Sequence, residues 1–133
     1  MPQIENSKIT EGIKISVETF FNEDESYATP PRYLFSYHIK ISNESDQTVQ
    51  LLRRHWEITD AYAHVKIVEG EGVIGEQPII LPGKSFEYVS FCILKTPMGK
   101  MVGYYEMIKV GKKNEPLKTD IPEFYLVAPF LMN

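Results

Sequence analysis

The residues with the most evident chemistry are three glycines spaced as Gly70-x-Gly72-x-x-Gly75. In dinucleotide-binding folds this spacing cradles a pyrophosphate between a strand and the N-terminus of a helix. Here Gln77-Pro78 follows at once and breaks any such helix, and the flanking glutamates repel phosphate. The dinucleotide fold is therefore disfavoured. Two interpretations remain: backbone amides that form an anion nest for a small phosphorylated ligand, or a loop that needs positive φ for tight turns.

A second candidate is the run Arg53-Arg54-His55-Trp56. On a strand, Arg54 and Trp56 share one face, and Arg53 and His55 share the other. Arginine and tryptophan are enriched where proteins bind each other, and arginine makes two-point contacts with carboxylates and phosphates. The alternative is that Trp56 anchors the core while the arginines are solvated or paired with carboxylates. The sequence leaves both open.

Catalytic and metal-binding patterns are not evident. His38, His55 and His64 lack the close spacing of ligand pairs, so a zinc site would have to assemble from distant strands. Ser90 and Cys92 lie within an apolar segment that has no nucleophile-elbow sequence. We therefore expect no enzymatic activity, no catalytic residues, no metal site and no cofactor.

Composition narrows the class of protein. The 133 residues are 43% hydrophobic and carry 14 basic and 18 acidic side chains, a net charge of −4. Neither half is basic, so nucleic acid is not expected as a partner. The first residues do not read as a signal peptide and no apolar run is long enough to cross a bilayer, so we expect no membrane partner. One cysteine excludes an intrachain disulfide and suits a cytoplasmic location.

The hydrophobic pattern predicts strands throughout. Valine, isoleucine and threonine total 30 residues against 4 alanines, and apolar residues repeatedly alternate with polar ones. We predict one domain over residues 1–133, with a core from about 10 to 130, built as an all-β antiparallel sandwich of about eight strands. The predicted strands lie near residues 12–21, 32–42, 47–59, 63–68, 79–81, 84–94, 101–107 and 123–127. Loops are expected at 22–31, 69–78 and 111–120.

An ordered series of motifs covers nearly the whole chain. It runs from Gln50-Leu51-Leu52-Arg53-Arg54-His55-Trp56-Glu57-Ile58-Thr59-Asp60 through Val68-Glu69-Gly70-Glu71-Gly72-Val73-Ile74-Gly75-Glu76-Gln77-Pro78, Leu81-Pro82-Gly83, Phe86-x-Tyr88-x-Ser90 and Thr96-Pro97-x-Gly99-x-Met101-x-Gly103-x-Tyr105 to Ile121-Pro122-x-Phe124. In this series the chain resembles the ApaG family of small bacterial proteins. It departs from the family at Ala61-Tyr62-Ala63, where a turn with Asn and Gly is common, and at Phe91, where Gly is common.

The resemblance implies an immunoglobulin or fibronectin type III-like sandwich without established catalysis. It also implies a link to cobalt and magnesium homeostasis. Because related domains recognise proteins, we expect a protein–protein interaction module with an unidentified protein partner. The alternative is a small phosphorylated ligand, pyrophosphate or a nucleotide, at the glycine loop. The candidate binding residues are Arg53, Arg54, His55, Gly70, Gly72, Gly75 and Gln77. An edge strand could also pair two copies as a homodimer.

Overall fold

The computed structural model describes residues 4–111 and 113–129. Within them, two antiparallel sheets stack as a sandwich, so the predicted all-β fold is confirmed. A short 3-10 helix covers Glu23–Glu25. The strands in this part of the chain are β1 (Ile4–Thr10), β2 (Ile13–Phe21), β3 (Tyr33–Asn43), β4 (Val49–Asp60), β5 (Val65–Glu71), β6 (Ile79–Ile80), β7 (Ser85–Leu94), β8 (Met98–Lys109) and β9 (Glu115–Val127).

The order of the strands explains which edges are exposed. One sheet runs β1-β2-β3-β7, and the other runs β5-β4-β8-β9, with β6 also paired to β4. All of these pairings are antiparallel. The edge strands of the two sheets are therefore β1 and β7 in the first and β5 and β9 in the second.

The core follows from the period-two alternation that the sequence showed. Tyr37 and its alternate neighbours on β3 point between the sheets, where Tyr37 meets Trp56 edge-on at 5.6 Å between ring centroids. Phe124 of β9 crosses the same indole at 5.8 Å. Fully burying an apolar side chain of this size stabilises the fold by roughly 1.5–3 kcal/mol. Trp56, which is 2% exposed, is thus a core anchor.

Besides β8 (Met98–Lys109), which is longer than the predicted 101–107, three strands differ from the predictions. β1 was not predicted, which is why the strand count rises above eight. Its sequence, IENSKIT, has little apolar alternation, and it forms by pairing with β2. β5 extends to Glu71, so residues 69–71 are strand rather than loop.

The third difference lies at β9. A loop was predicted at 111–120, but the strand already begins at Glu115, and residue 112 lies outside the described residues. The polar composition of residues 111–120 had indicated a loop. The prolines within the strand are tolerated, because Pro116 lies on an edge strand and Pro122 lies opposite a register irregularity between Met101 and Gly103.

A β-bulge in β4 decides which arginine faces inward. The register between β4 and β8 shifts between Leu51 and Arg53, which leaves Leu52 as the extra residue. Side chains alternate with a period of two, so one extra residue exchanges the faces for the rest of the strand. As a result Leu51 and Trp56, an odd and an even position, both lie in the core. Arg54 follows Trp56 to the inner face.

The two sides of the sandwich differ. On one side β1 packs along β9: Asn6 Nδ2 donates a hydrogen bond to the carbonyl of Glu123 at 3.0 Å, and Lys8 pairs with Asp120 at 3.6 Å. On the other side β5 and β7 border a cleft that opens between the sheets. In the described part of the chain, no helix has the length and apolarity needed to cross a membrane.

Candidate functional site

The cleft between β5 and β7 has a volume of about 560 Å³. This lies within the range of small-molecule and peptide side-chain pockets. Its floor and walls come from the inner faces of five strands. The residues that line the cleft include Tyr37, Arg54, Trp56, Ile58, Lys66, Val68, Ser90, Cys92, Leu94 and Met101.

Neutral hydroxyl groups lie at the base of the cleft. Burial raises the pKa of Tyr37, and a hydrogen bond with Ser90 acts in the opposite direction without cancelling it. Behind it the hydroxyl groups of Tyr88 and Tyr105 hydrogen-bond to each other. Burial also raises the pKa of both phenols. All three tyrosines therefore stay protonated and supply polar groups without charge.

The only tryptophan and the only cysteine of the chain both line this cleft. Trp56 is 2% exposed and Cys92 is 6% exposed. Burial raises the pKa of the Cys92 thiol to about 11. The thiol is therefore protonated at neutral pH, and it packs as a small apolar group rather than acting as a nucleophile.

This environment predicts slow thiol chemistry in the folded chain. A thiol with an ordinary pKa near 9 has about one hundred times more thiolate at pH 8 than one near 11. We expect Cys92 to react with a disulfide reagent at least about one hundredfold more slowly in buffer than in denaturant. Labelling at the denatured rate in buffer would show that the thiol is accessible and ionised, contrary to this geometry.

The guanidinium of Arg54 holds the end of β5. Its Nη1 donates hydrogen bonds to the carbonyls of Glu71 at 3.1 Å and Gly72 at 2.9 Å. Gly70 pairs with Arg54 across the strands. A Cβ atom at Gly70 would lie only 2.9 Å from that same nitrogen. Gly70 thus leaves room for the guanidinium, which brings Arg54, Gly70 and Gly72 together.

Residues 72–76 form a closed turn. Val73 and Glu76 exchange hydrogen bonds of 2.8 and 2.9 Å. Ile74 and Gly75, the two central residues, both have positive φ, as in a type I′ turn. Gly72 also has positive φ, and its N–H donates to the carbonyl of Leu52 at 2.7 Å. The N–H groups of Gly72, Val73 and Glu76 therefore already donate to carbonyls within the chain, which favours the structural interpretation of the glycines.

The loop is tied to the β4 bulge through Gln77. Its Nε2 donates to the carbonyl of Leu52 at 3.0 Å, the same oxygen that accepts the Gly72 N–H. Gln50 Nε2 donates in turn to the carbonyl of Gln77 at 3.1 Å. Gln77 therefore completes the hydrogen bonding of the extra residue.

Arg53 and His55 lie on the outer face of the same sheet, away from the cleft. Arg53 pairs with Glu106 of β8 at 3.4 Å. His55 stacks on Tyr104 with 4.7 Å between ring centroids and lies between Glu57 and Glu69, each 3.3 Å away. The predicted division of faces is confirmed. Arg53 and His55 are thus separated from the inward-facing Arg54, and the three predicted residues do not form one site.

The rim of the cleft carries three cations, Arg54, Lys66 and Lys95, with a single lining carboxylate among the described residues, Asp60. Desolvation alone would raise the pKa of Asp60, but hydrogen bonds from the backbone N–H groups of His64 and Tyr62 outweigh it and lower the pKa. The His64 ring lies 3.4 Å from the same carboxylate. The positive charge of the rim is therefore largely uncompensated.

Among residues 4–111 and 113–129, no three His, Cys, Asp or Glu side chains are grouped so that they could hold a metal ion.

Comparison with known proteins identifies the family. A model described as the ApaG domain matches residues 23–109. The chain belongs to the ApaG family. The resemblance expected from the motifs is confirmed, and the matched region, which includes β3 to β8 and their connections, contains all the residues that line the cleft.

Individual ApaG relatives agree over nearly the full length. Protein ApaG of Brucella anthropi is 48% identical over 121 residues, which cover 91% of this chain and 92% of that protein. Protein ApaG of Brucella canis is 45% identical over 123 residues, 92% of this chain and 93% of that protein.

Solved structures of similar proteins have the same fold. A crystal structure described as the ApaA protein of Bordetella pertussis superposes with a TM-score of 0.84 at 37% identity, covering 88% of this chain and 94% of that one. A second X-ray structure reaches a TM-score of 0.85 at 36% identity, covering 95% and 94%. The C-terminal domain of Wzt, at 10% identity and a TM-score of 0.54 over 93% of this chain and 77% of that one, shares the fold alone.

The sequence interpretation of this ApaG chain missed the cleft. Tyr37, Lys66 and Ser90 come from three strands that are distant in sequence, and no local spacing joins them. One signal was available in the sequence. Leu51 and Trp56 are both expected in the core, but they occupy odd and even positions of one strand, and this indicates a bulge between them, beside the glycine loop.

Proposed function

We propose that this ApaG-family protein is a non-enzymatic protein-binding module on an immunoglobulin-like sandwich. Its partner binds at the open side, between β5 and β7. The observation that most supports this is a row of apolar side chains along edge strand β7: Val89, Phe91 and Ile93 are 51%, 61% and 53% exposed. Natural proteins usually cover or charge such edges, and exposed apolar patches mark interaction surfaces.

The chemistry of the cleft supports binding over catalysis. Its cysteine is held as a thiol by burial, and Ser90 hydrogen-bonds with Tyr37. A nucleophile needs an adjacent base, and the cleft's one lining carboxylate in the described chain, Asp60, is occupied by two N–H groups and the His64 ring. These groups are suited to recognition.

We further propose a role in divalent cation homeostasis and a cytoplasmic location. A link to divalent cation homeostasis rests on the family resemblance alone. The cytoplasmic location is supported by the single cysteine, which suits a reducing compartment.

A photo-crosslinking residue tests the proposed surface. Ile93 on β7 and Ile9 on β1 are both on edge strands of the same sheet, with matched exposures of 53% and 58%. We expect a discrete covalent adduct in cells from the crosslinker at position 93 and none from position 9. An adduct only from position 9, or only from position 53 on the outer face, would move the interface away from the open side.

The alternative, a small phosphorylated ligand at the glycine loop, makes a separate prediction. A ligand at one hundred times its Kd stabilises by about 2.7 kcal/mol, roughly 10 °C in Tm at this size. Because the N–H groups of Gly72, Val73 and Glu76 already donate to carbonyls, we expect no such shift with pyrophosphate or dinucleoside polyphosphates. A shift of that order would revive the small-ligand alternative.

A further inference from the structure

β7 offers one side of its backbone for a new strand. In the described chain its strand partner is β3, and the partners of β5 are limited to β4. In a strand, alternate residues direct their N–H and C=O groups to opposite sides, so half of these groups on β7 face the opening. With ten residues, β7 provides about 34 Å of edge.

The side chains beside this edge form two different surfaces. A strand added next to β7 would place every second side chain outward, beside Val89, Phe91 and Ile93, which are exposed. The intervening side chains would point into the cleft, across from Lys66 of β5. The outward positions therefore favour apolar residues.

The inward positions favour carboxylates. Arg54, Lys66 and Lys95 line the cleft, and within residues 4–111 and 113–129 none of them forms an ion pair. Of the Arg54 guanidinium, only Nη1 donates hydrogen bonds in this part of the chain. In a protein of net charge −4, a cleft lined by three unpaired cations is complementary to an anionic segment.

We infer that the open side binds an extended acidic segment of a protein partner as an additional strand beside β7, in which apolar side chains alternate with carboxylates. This inference rests on the proposed function and specifies its partner. Main-chain hydrogen bonds hold the segment to the edge. Its apolar residues cover Phe91, and its carboxylates neutralise Lys66 and Arg54.

A second copy of the chain fits this surface less well. Two antiparallel β7 strands would bring two sets of the same cations, including Lys66 and Lys95, to one interface. Like charges that face each other across an interface oppose association. We therefore do not expect the homodimer through an edge strand, and the experiments below test for it.

The test uses the full chain and a blocked ten-residue peptide that alternates valine and glutamate. Trp56 fluorescence reports binding, because the chain has one tryptophan and it lines the cleft. A further slowing of the already slow labelling of Cys92 in the folded chain is the second readout. We expect saturable binding that Lys66→Glu weakens at least about tenfold. Lys40→Glu, an equal charge change on the outer face of β3, should leave affinity unchanged.

Two further peptides separate charge from strand addition. A valine–lysine peptide should bind the wild-type chain at least about tenfold more weakly than the valine–glutamate peptide does. It should bind Lys66→Glu more tightly than it binds the wild-type chain. Valine–glutamate peptides methylated on every second backbone nitrogen, in both registers, should lose binding in one register. Equal binding of both charge types, retention in both methylated registers, or no binding of any peptide would overturn the inference.

The remaining outcomes distinguish this inference from the proposed function. Sedimentation equilibrium showing a dimer that Phe91→Lys dissociates would identify a second copy as the occupant and overturn the acidic segment. If crosslinking at position 93 succeeds while Lys66→Glu leaves capture of that partner unchanged, the proposed binding surface is supported. The inference that the bound segment is acidic is then overturned. Failure at position 93 removes the proposed surface itself.

Discussion

Gly72→Ala should destabilise the protein by about 3 kcal/mol, roughly 12 °C in Tm for a chain of this size. Two effects add. Gly72 has φ +63°, a conformation that costs a residue with a Cβ atom about 1 kcal/mol or more. A Cβ atom there would also overlap the carbonyl oxygen of Glu76, which is backbone and held by the turn. The turn must open to relieve this overlap.

Gly75→Ala is the matched control, because it isolates the conformational cost. Gly75 lies in the same turn with φ +80°, and nothing lies within 4 Å of the position that a Cβ atom would take there. We expect a loss of only about 1 kcal/mol, measured by thermal and denaturant unfolding. Equal losses for the two variants would mean that the turn relaxes freely around Gly72.

Asn43→Ala should be the other large loss, about 4 kcal/mol. Asn43 is 1% exposed, and its Nδ2 donates to the carbonyls of Gln47 at 2.7 Å and Ile80 at 2.9 Å. Its Oδ1 accepts from the N–H of Ser45 at 3.0 Å and from the Ser45 hydroxyl at 2.6 Å. Truncation leaves several of these groups without a partner and detaches β6 from the 43–47 turn.

Asn6→Ala provides the comparison for Asn43. Asn6 makes one exposed hydrogen bond, to the carbonyl of Glu123. Water can replace an exposed bond, so the expected loss is under about 1 kcal/mol. Denaturant unfolding of both variants measures the difference. A loss at Asn43 no larger than at Asn6 would show that the buried network contributes little.

The sequence predicted the strands whose alternation reports the core. β3 and β7 were found within one or two residues. β3 has one buried face and one mostly polar face, whereas β7 carries Val89, Phe91 and Ile93 on its outer face and was bounded by the turn residues Pro82-Gly83 and Thr96-Pro97. β1 lacks that alternation, and its pairing with β2 comes from tertiary contacts. The polar residues of the predicted 111–120 loop, among them Lys118, hid the first half of β9. Pro116 and Pro122 are tolerated in this strand, because one lies at a sheet edge and the other beside a register irregularity.

The candidate site was predicted only in part. The opposite faces of Arg53 and Arg54 follow from strand periodicity. Which face would be buried could not be predicted, because it depends on the bulge at Leu52. The link between Arg54 and the glycine loop also needed the pairing of β4 with β5. The cleft lies between strands that are unpaired at the edges of two sheets. Which strands lie at the edges depends on long-range pairing, and this cannot be read from local patterns in a single sequence.

The open side between β5 and β7 is the binding surface that we propose for this protein. The most direct test compares capture of cellular partners by the wild-type chain, Phe91→Lys and Ile9→Lys. Phe91 and Ile9 are 61% and 58% exposed, so both variants should fold. We expect one partner to be retained by the wild-type chain and by Ile9→Lys and to be lost by Phe91→Lys. Retention of that partner by Phe91→Lys at the wild-type level would contradict this proposal.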